Sequence, residues 1–397
     1  MSEVNGAPGP PPPVDYLAPF EAFQSYRLHG GTIYRGRIRA EYAADREALA
    51  ETLSSAPGTF RIEEVDGRVF ATLRTYRRGR PPRRLWLHGL LLVLASVTCV
   101  GAGAGFAAKH WRDDTAVAPF AFVIDALTLY ADGHGAEVAH TLWPEFAREM
   151  ATGVSYALAL LFLLLAHEAG HYFAARAHGI DCTLPFIIPA PFLFGTLGAI
   201  IKMRAPISHR RALFDIGVAG PLAGIVASLV VCLVGLSMSS YVVVSSAAGP
   251  QIEFGASLLY RGLGRLAMGP PPLVHSPATW AVQLHPVAVA GWFGLFVTFL
   301  NLMPLGQLDG GHLWYALIGR KQRIVGIIAF ALLLALSVVF IGWLMFAVLI
   351  FLVLRISHPP VMDEYVRLGA ARVLVGVLLI VLFVLMFIPE PVRFNWH

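Results

Sequence analysis

Two histidines and a glutamate at fixed spacing carry the clearest chemical potential in this chain. Residues 167–171 read His-Glu-Ala-Gly-His. On a helix, His167 and His171 are four residues apart, so both imidazoles project from one face and can hold one zinc ion. Glu168 lies between them and can take a proton from an attacking water molecule. The spacing therefore predicts a metal site with its own general base.

The motif follows an apolar segment long enough, with its flanks, to cross a membrane. Residues 156–166 carry no charge. Ionisable groups at membrane depth are expensive and are usually retained for function, so packing is a poor explanation of this cluster. H-E-x-x-H is the zinc-binding arrangement of metalloproteases. Catalytic zinc normally has a third protein ligand, and the motif itself does not supply one.

A second motif offers that third ligand. Residues 301–310 read Asn-Leu-Met-Pro-Leu-Gly-Gln-Leu-Asp-Gly, and Asp309 follows the apolar stretch 292–300. An Asp-Gly pair taken alone is more often a turn. Together with the two histidines, Asp309 becomes a candidate carboxylate ligand near a membrane boundary.

Both motifs, in this order, resemble the site-2 protease family of intramembrane zinc metalloproteases over roughly residues 150–360. Five residues match the second family motif, N-x-x-P-x-x-x-L-D-G, position by position: Asn301, Pro304, Leu308, Asp309 and Gly310. The resemblance implies one zinc ion per chain and Glu168 as general base. It implies as zinc ligands His167, His171 and Asp309.

Composition indicates a polytopic membrane protein. The 397 residues are 56% hydrophobic and only 14% charged, with a mean hydropathy of +0.64, which a soluble domain rarely reaches. The net charge of +5 does not predict a nucleic-acid partner, because arginines cluster at 77–84, directly before the first apolar span. Such a flank is typical of the cytoplasmic side. We expect a multi-pass protein of a bacterial plasma membrane with its N-terminus in the cytoplasm.

Three segments differ in composition along the chain. Residues 1–13 are proline-rich and predict a disordered leader. Residues 14–80 are polar enough for a small soluble cytoplasmic α+β domain. Residues 85–389 form the predicted membrane metalloprotease domain, with its zinc core at 150–320.

Local patterns within the small domain predict individual elements. Residues 32–38 alternate like a strand. A helix is expected over 45–53 with Asp45 as its N-cap. Two short strands around the Asp66-Gly67 pair predict a hairpin.

The predicted fold is an all-α polytopic membrane protein of about seven transmembrane helices with a membrane-embedded β-hairpin. Residues 324–354 are continuously apolar, and basic residues flank both ends, so a bend near Gly342 would keep both flanks on one side. An apolar stretch at 117–130 is broken by proline and aspartate and is expected to be interfacial. The spans are expected near residues 85–108, 153–175, 214–238, 286–304, twice within 324–354, and 372–388.

Residues 183–205 contain too many prolines and glycines for a plain helix, and 196–203 have an extended pattern. The family resemblance implies a hairpin beside the active site. A free strand edge there could pair with an unwound substrate by β-augmentation; a structural plug is the open alternative. The residues assigned to substrate binding are Thr196, Leu197, Gly198, Ala199, Ile200 and Ile201, together with Asn301 of the second motif.

Other polar and small residues near the motifs have two interpretations each. The Asn301 amide could hold the substrate backbone or an oxyanion, or could simply bond to neighbouring backbone. His312 is three residues from Asp309 and is expected near the ligands without being one. Gly217, Gly220 and Gly224 lie near one helix face and predict close packing against the zinc helix.

The combined pattern predicts an intramembrane zinc endopeptidase that hydrolyses peptide bonds in or near transmembrane segments. Its expected partners are a transmembrane protein substrate and the lipid bilayer, and its oligomeric state is open. A membrane metal transporter is one alternative, but it would need several layers of ligands and the sequence has one cluster. A catalytically inactive membrane scaffold is another, but such proteins usually lose the base or a ligand, and all four are present.

Overall fold

The computed structural model describes residues 15–28, 31–56, 58–65, 67–76, 85–107, 131, 133, 143–191, 194–203, 207, 209–243, 251–270, 280–354 and 366–395. The predicted leader at 1–13 and the predicted interfacial stretch at 117–130 lie outside these residues. The chain forms two compact units. Of the described residues, the smaller unit contains those between 15 and 76 together with 207, 209, 366 and 367, and the larger unit contains the others.

The smaller unit is an antiparallel four-stranded sheet, and two helices lie in the connection between its second and third strands. Its strand order is β1-β2-β4-β3. Leu49 and Leu53 of the second helix are fully buried and pack with sheet residues such as Ala71 and Leu73. The elements are β1 Phe20–Leu28, β2 Gly31–Ile38, α1 Ala40–Ala43, α2 Arg46–Ser54, β3 Gly58–Val65 and β4 Arg68–Tyr76.

Local signals predicted four of these elements. Asp45 caps α2, its carboxylate accepting from the backbone amides of Glu47 and Ala48. The β3–β4 hairpin turns at Gly67, whose φ of 71° suits glycine. Strand β2 is also confirmed. Strand β1 was missed, because its residues 20–28 do not alternate cleanly between polar and apolar.

A buried charge cluster lies inside this unit. The Arg35 side chain is fully buried, and its guanidinium donates to Glu63 at 2.8 Å; His209 Nε2 lies 3.6 Å from the same carboxylate oxygen. Burial alone would raise the pKa of Glu63. The nearby His209 side chain and the charge of Arg35 outweigh that effect and lower the pKa to about 2.

The larger unit is mostly helical. Three of its helical segments are long and apolar enough to cross a membrane: Leu85–Ala107, Met150–Ala177 and Arg210–Ser237. Three shorter apolar segments accompany them, Pro286–Asn301, Gly342–Leu352 and Ala370–Leu385. The count of seven spans therefore stays a prediction. The α-helices described in the larger unit are α3 Leu85–Ala107, α4 Trp143–Thr152, α5 Val154–Ala177, α6 Arg210–Ser237, α7 Leu258–Met268, α8 Pro286–Asn301, α9 Asp309–Ile318, α10 Gln322–Leu336, α11 Gly342–Leu349 and α12 Ala370–Leu385.

The long apolar run at 324–354 bends as the basic flanks predicted. Helix α10 ends at Leu336, and α11 begins at Gly342. The rings of Phe330 and Phe351 are 6.4 Å apart, whereas a straight helix would separate them by about 30 Å. The run therefore folds back on itself.

A short antiparallel hairpin follows α5. Strands β5 (Phe186–Pro189) and β6 (Thr196–Ile200) pair with an irregularity between Ile187 and Pro189. The hairpin is fastened to α3, where the Thr98 hydroxyl donates to the Gly195 carbonyl at 2.6 Å. The predicted extended stretch thus forms a strand over most of its length.

Two further strand pairs lie in the larger unit and had no counterpart in the sequence prediction. Strands β7 (Ser240–Val243) and β9 (Trp280–Gln283) form one pair, and β8 (Gln251–Phe254) and β10 (Val392–Asn395) form the other. Both are antiparallel. The second joins residues far apart in the chain.

Candidate metal centre

Helix α5 presents both histidines of the H-E-x-x-H motif on one buried face. His167 and His171 are one turn apart and only 7% and 6% exposed. Their rings meet at a centroid distance of 4.9 Å. The apolar residues before the motif allow an uninterrupted helix, so the four-residue spacing places both imidazoles side by side as predicted.

Asp309 reaches the histidines because the chain breaks between two helices. Helix α8 ends at Asn301, and Asp309 is the first residue of α9. The connection contains Pro304 and Gly306, and Gly306 has a positive φ of 51°, which favours glycine. The sequence motif thus spans a helix end, a turn and a helix start, and the turn brings Asp309 back to the histidines.

The three candidate ligands converge on one point. Asp309 Oδ2 lies 3.2 Å from His167 Nε2 and 3.3 Å from His171 Nε2, and the two Nε2 atoms are 3.1 Å apart. Zinc bound by nitrogen and oxygen at about 2.0–2.1 Å in a tetrahedral arrangement separates its donors by roughly 3.3 Å. The observed separations are those expected of three atoms that would bind one small cation.

A backbone carbonyl fixes the tautomer of one histidine. His171 Nδ1 donates to the Ile216 carbonyl of α6 at 2.7 Å. In the neutral ring, Nε2 then carries the free lone pair and points at Asp309 and His167. Ligating histidines commonly use such a bond to orient the ring and increase ligand basicity. Backbone carbonyls have no residue-type signature, so sequence analysis could not identify this partner.

Small residues on α6 let the zinc helix approach, as predicted. A Cβ at Gly220 would overlap the His171 imidazole, and a Cβ at Gly224 would lie 2.9 Å from His167 Nδ1. A Cβ at Gly217 would lie 2.7 Å from the Cβ of His312. Glycine is therefore required by space at these positions. The predicted packing of the glycine face against the zinc helix is confirmed, and it extends to α9.

Glu168 lies beside both the ligands and the hairpin. Its side chain is buried, and its carboxylate interacts with the charges of His171 and Asp309. The backbone amide of Ile201, directly after β6, forms a hydrogen bond with this carboxylate. The candidate base is thus held between the metal cluster and the end of the strand.

The six residues predicted to bind substrate have different surroundings. Thr196 is buried, and its hydroxyl donates to the Ile188 carbonyl at 2.8 Å and accepts from the Gly198 amide at 3.0 Å. Its hydroxyl is therefore engaged within the hairpin. Leu197 and Ile200 are 66% and 56% exposed, so their side chains are accessible.

Asn301 and His312 lie close to the cluster from different sides. Asn301 Nδ2 is 3.4 Å from His167 Nε2, so the amide faces the same point as the three ligand atoms. His312 lies one turn after Asp309 and packs against Gly217. The three-residue cluster of potential metal ligands within the described larger unit contains His167, His171 and Asp309.

The fold and this cluster define a class: a mostly helical protein with helices long and apolar enough to cross a membrane and a buried His-His-Asp cluster that could hold a metal ion beside a glutamate. Residues 155–351 match Peptidase family M50. The chain belongs to this family, which includes the site-2 proteases, and the resemblance seen in the sequence motifs is confirmed.

Curated relatives share the region of the motifs. The chain is 32% identical over 314 residues, 74% of its length, to "Probable zinc metalloprotease EGY1, chloroplastic" of Oryza sativa subsp. japonica, covering 51% of that protein. It is 28% identical over 91% of its length to the protein of the same name from Arabidopsis thaliana, covering 66% of it. A third relative, "Probable zinc metalloprotease EGY2, chloroplastic" of Arabidopsis thaliana, is 31% identical over 61% of the chain and is covered to 43%.

The chain therefore spans about half the length of the curated relatives it matches. No solved structure matches it.

Proposed function

We propose that this chain is a zinc endopeptidase that cuts peptide bonds in or near transmembrane segments of membrane proteins. The observation that carries the proposal is the triangle of His167, His171 and Asp309 atoms, 3.1–3.3 Å apart, with Glu168 beside it. Three lone-pair donors at this spacing repel one another unless a proton or a cation lies between them. Relatives named zinc metalloproteases and membership in family M50 support zinc as that cation.

The chain's own residues divide the work of hydrolysis. The metal, when bound, acts as a Lewis acid that polarises the scissile carbonyl and makes water more acidic. Glu168 accepts the proton of the attacking water and returns it to the leaving nitrogen. The Asn301 amide, aimed at the same point, donates a hydrogen bond to the carbonyl oxygen as negative charge develops there.

The hairpin is proposed to hold the substrate next to the base. An intramembrane substrate must unwind before its backbone can be attacked, and an extended segment can then pair with a strand edge. The Ile201 amide contacts Glu168, so β6 leads directly to the reacting centre. Exposed Leu197 and Ile200 are available for apolar substrate side chains, whereas Thr196 stabilises the hairpin.

The orientation in the membrane is proposed from the flanking charges. The arginines at 77–84 precede α3, and the positive-inside rule places them, with residues 14–80, in the cytoplasm or its topological equivalent. The relatives are named chloroplastic. Their names do not support the bacterial origin expected from the sequence, so the proposal covers orientation and not the identity of the membrane.

Zinc content of two variants tests the ligand set. Asp309→Ala should lose most of its zinc, since one of three ligands is removed. His312→Ala, one turn away on the same helix, is the matched control and should keep its zinc. Metal analysis of both purified variants decides the point. Zinc loss in His312→Ala with retention in Asp309→Ala would overturn the assignment.

A cleavage assay separates the alternatives. An inactive scaffold would bind zinc without cutting, and a metal transporter would move labelled zinc across proteoliposomes. The proposal predicts zinc-dependent cleavage by the purified chain and no net zinc transport.

A further inference from the structure

The zinc helix is docked on α6 through two adjacent residues of α6. His171 Nδ1 donates to the Ile216 carbonyl at 2.7 Å. His178, the residue directly after the end of α5, is seven residues further along, and its Nε2 lies 2.9 Å from Asp215 Oδ2. Two attachment points two turns apart resist both rotation and sliding of α5. Rotation of α5 would turn His167 and His171 away from Asp309.

The Asp215 carboxylate is itself held by the C-terminal helix. Arg372, near the start of α12, donates from Nε to Asp215 Oδ1 at 2.7 Å and from Nη2 to Oδ2 at 2.9 Å. This two-point geometry fixes the plane of the carboxylate, which a single lysine contact would not do. Arg372 lies outside residues 155–351, so the family match does not include it.

From this chain of contacts we propose that Arg372 is a positioning residue for the metal site. The guanidinium fixes Asp215, Asp215 fixes the end of α5 through His178, and α5 then presents both histidines to Asp309. Arg372 touches neither metal ligand nor substrate. The inference rests on the proposed zinc function.

Purely structural clamping is the competing interpretation. Arg372, Asp215 and His178 are each partly exposed, with side-chain exposures of 36%, 26% and 21%. An exposed ion pair usually contributes little to stability. A helix clamp with no effect on the ligands would change the melting temperature at most, whereas a positioning device must change the metal site.

The test is zinc affinity of the full chain, measured by competition with a chelator. Arg372→Gln should weaken zinc binding about tenfold, the lower end of the effect seen when groups behind metal ligands are removed. Arg393→Gln is the matched control. Arg393 also pairs with a carboxylate, that of Glu390, but it lies in strand β10, which pairs with β8 and not with α5 or α6, so its loss should leave zinc affinity unchanged.

Two further measurements exclude a trivial result. The visible spectrum of Co²⁺-substituted protein should change in Arg372→Gln and stay the same in Arg393→Gln, because the spectrum reports ligand geometry. Arg372→Lys keeps the positive charge but cannot make the two-point contact with Asp215, so its zinc affinity should lie between those of wild type and Arg372→Gln. If Arg372→Gln does not fold, Arg372→Lys provides the test of the positioning role.

The outcomes are distinguishable. Wild-type zinc affinity and cobalt spectrum in the Arg372 variants, with only a lower melting temperature, would overturn the positioning role and leave the proposed function intact. Failure of the wild-type chain itself to bind zinc would overturn both.

Discussion

Side chains of the candidate metal centre are positioned by close packing as well as by hydrogen bonds. His171 is oriented by the Ile216 carbonyl at 2.7 Å, and this bond is possible because Gly220 has no side chain where the imidazole lies. Because protein interiors are close-packed, a methyl group added at this position would overlap the imidazole ring. The glycine determines whether the ring can reach its partners.

Gly220→Ala should therefore damage the metal site directly. Overpacking costs roughly 1–3 kcal/mol, which corresponds to a loss of zinc affinity of roughly 5- to 150-fold if His171 is the group that moves. Gly262→Ala is the control, because a Cβ at Gly262 of α7 meets no atom within 4 Å. Chelator competition on both variants checks this. Equal zinc affinity in both would mean that His171 is not a ligand or that α6 moves freely.

The sequence alone could indicate which side chains form the candidate metal centre, but it could not indicate which groups orient them. His167, Glu168, His171 and Asp309 belong to two short motifs whose residue types state their chemistry. The orienting groups carry no such signal. The carbonyl of Ile216 could belong to any residue, and its role depends on the packing of α6 against α5.

The hairpin is the element whose function is most open to test. Ile201→Pro removes the amide that bonds to Glu168, and the preceding residue is already extended, as proline requires. We expect cleavage to fall at least tenfold, a fraction of the full general-base effect of about 10²–10⁴, while zinc content stays normal. Ile201→Val keeps the amide and should cleave like wild type.

The result would contradict the proposal in two ways. Loss of zinc in Ile201→Pro would mean that the hairpin supports the metal site. Normal cleavage would make the hairpin a structural plug and leave Asn301 as the next candidate for holding the substrate.

Acid should destabilise the smaller unit through Glu63. Its pKa is lowered to about 2 in the folded unit against an ordinary value near 4.3. A lowered carboxyl pKa contributes stability that is fully present above the ordinary pKa and is lost as the pH falls through the folded value. The contribution is roughly 3 kcal/mol at neutral pH.

Glu63→Gln in the full chain tests this. The stability difference between wild type and variant should be largest above pH ~5 and shrink toward pH ~2, measured by thermal unfolding of the smaller unit. Glu64→Gln is the control, because Glu64 pairs with Arg46 at an exposed site. A difference that does not change with pH would show that Glu63 acts through packing instead of charge.

Elements with local signals could be predicted, and those with distant partners could not. Asp45 predicted the start of α2, and the Asp66-Gly67 pair predicted the turn between β3 and β4. Helix α8 was expected to reach Pro304 but ends at Asn301. Residue Pro304 and the turn at Gly306 account for the earlier end, since the helix must stop for Asp309 to turn back.

At the scale of the whole molecule, composition predicted a membrane protein and two units of different character. It could not predict the strand pair between β8 (251–254) and β10 (392–395). Each strand has only four residues, and pairing across such a sequence distance leaves no local pattern. The span count has the same weakness, because α8 and α12 have 16 residues each, short of the ~20 needed for a full crossing.

The central hypothesis is that this chain hydrolyses peptide bonds with Glu168 as the general base. The most direct measurement compares wild type and Glu168→Gln for zinc content and for cleavage of a pool of fluorophore-labelled single-span membrane peptides. We predict equal zinc in both proteins and a cleavage rate lower by about 10²–10⁴ in the variant. Cleavage by zinc-loaded Glu168→Gln at a rate close to that of wild type would contradict the role of Glu168 as general base.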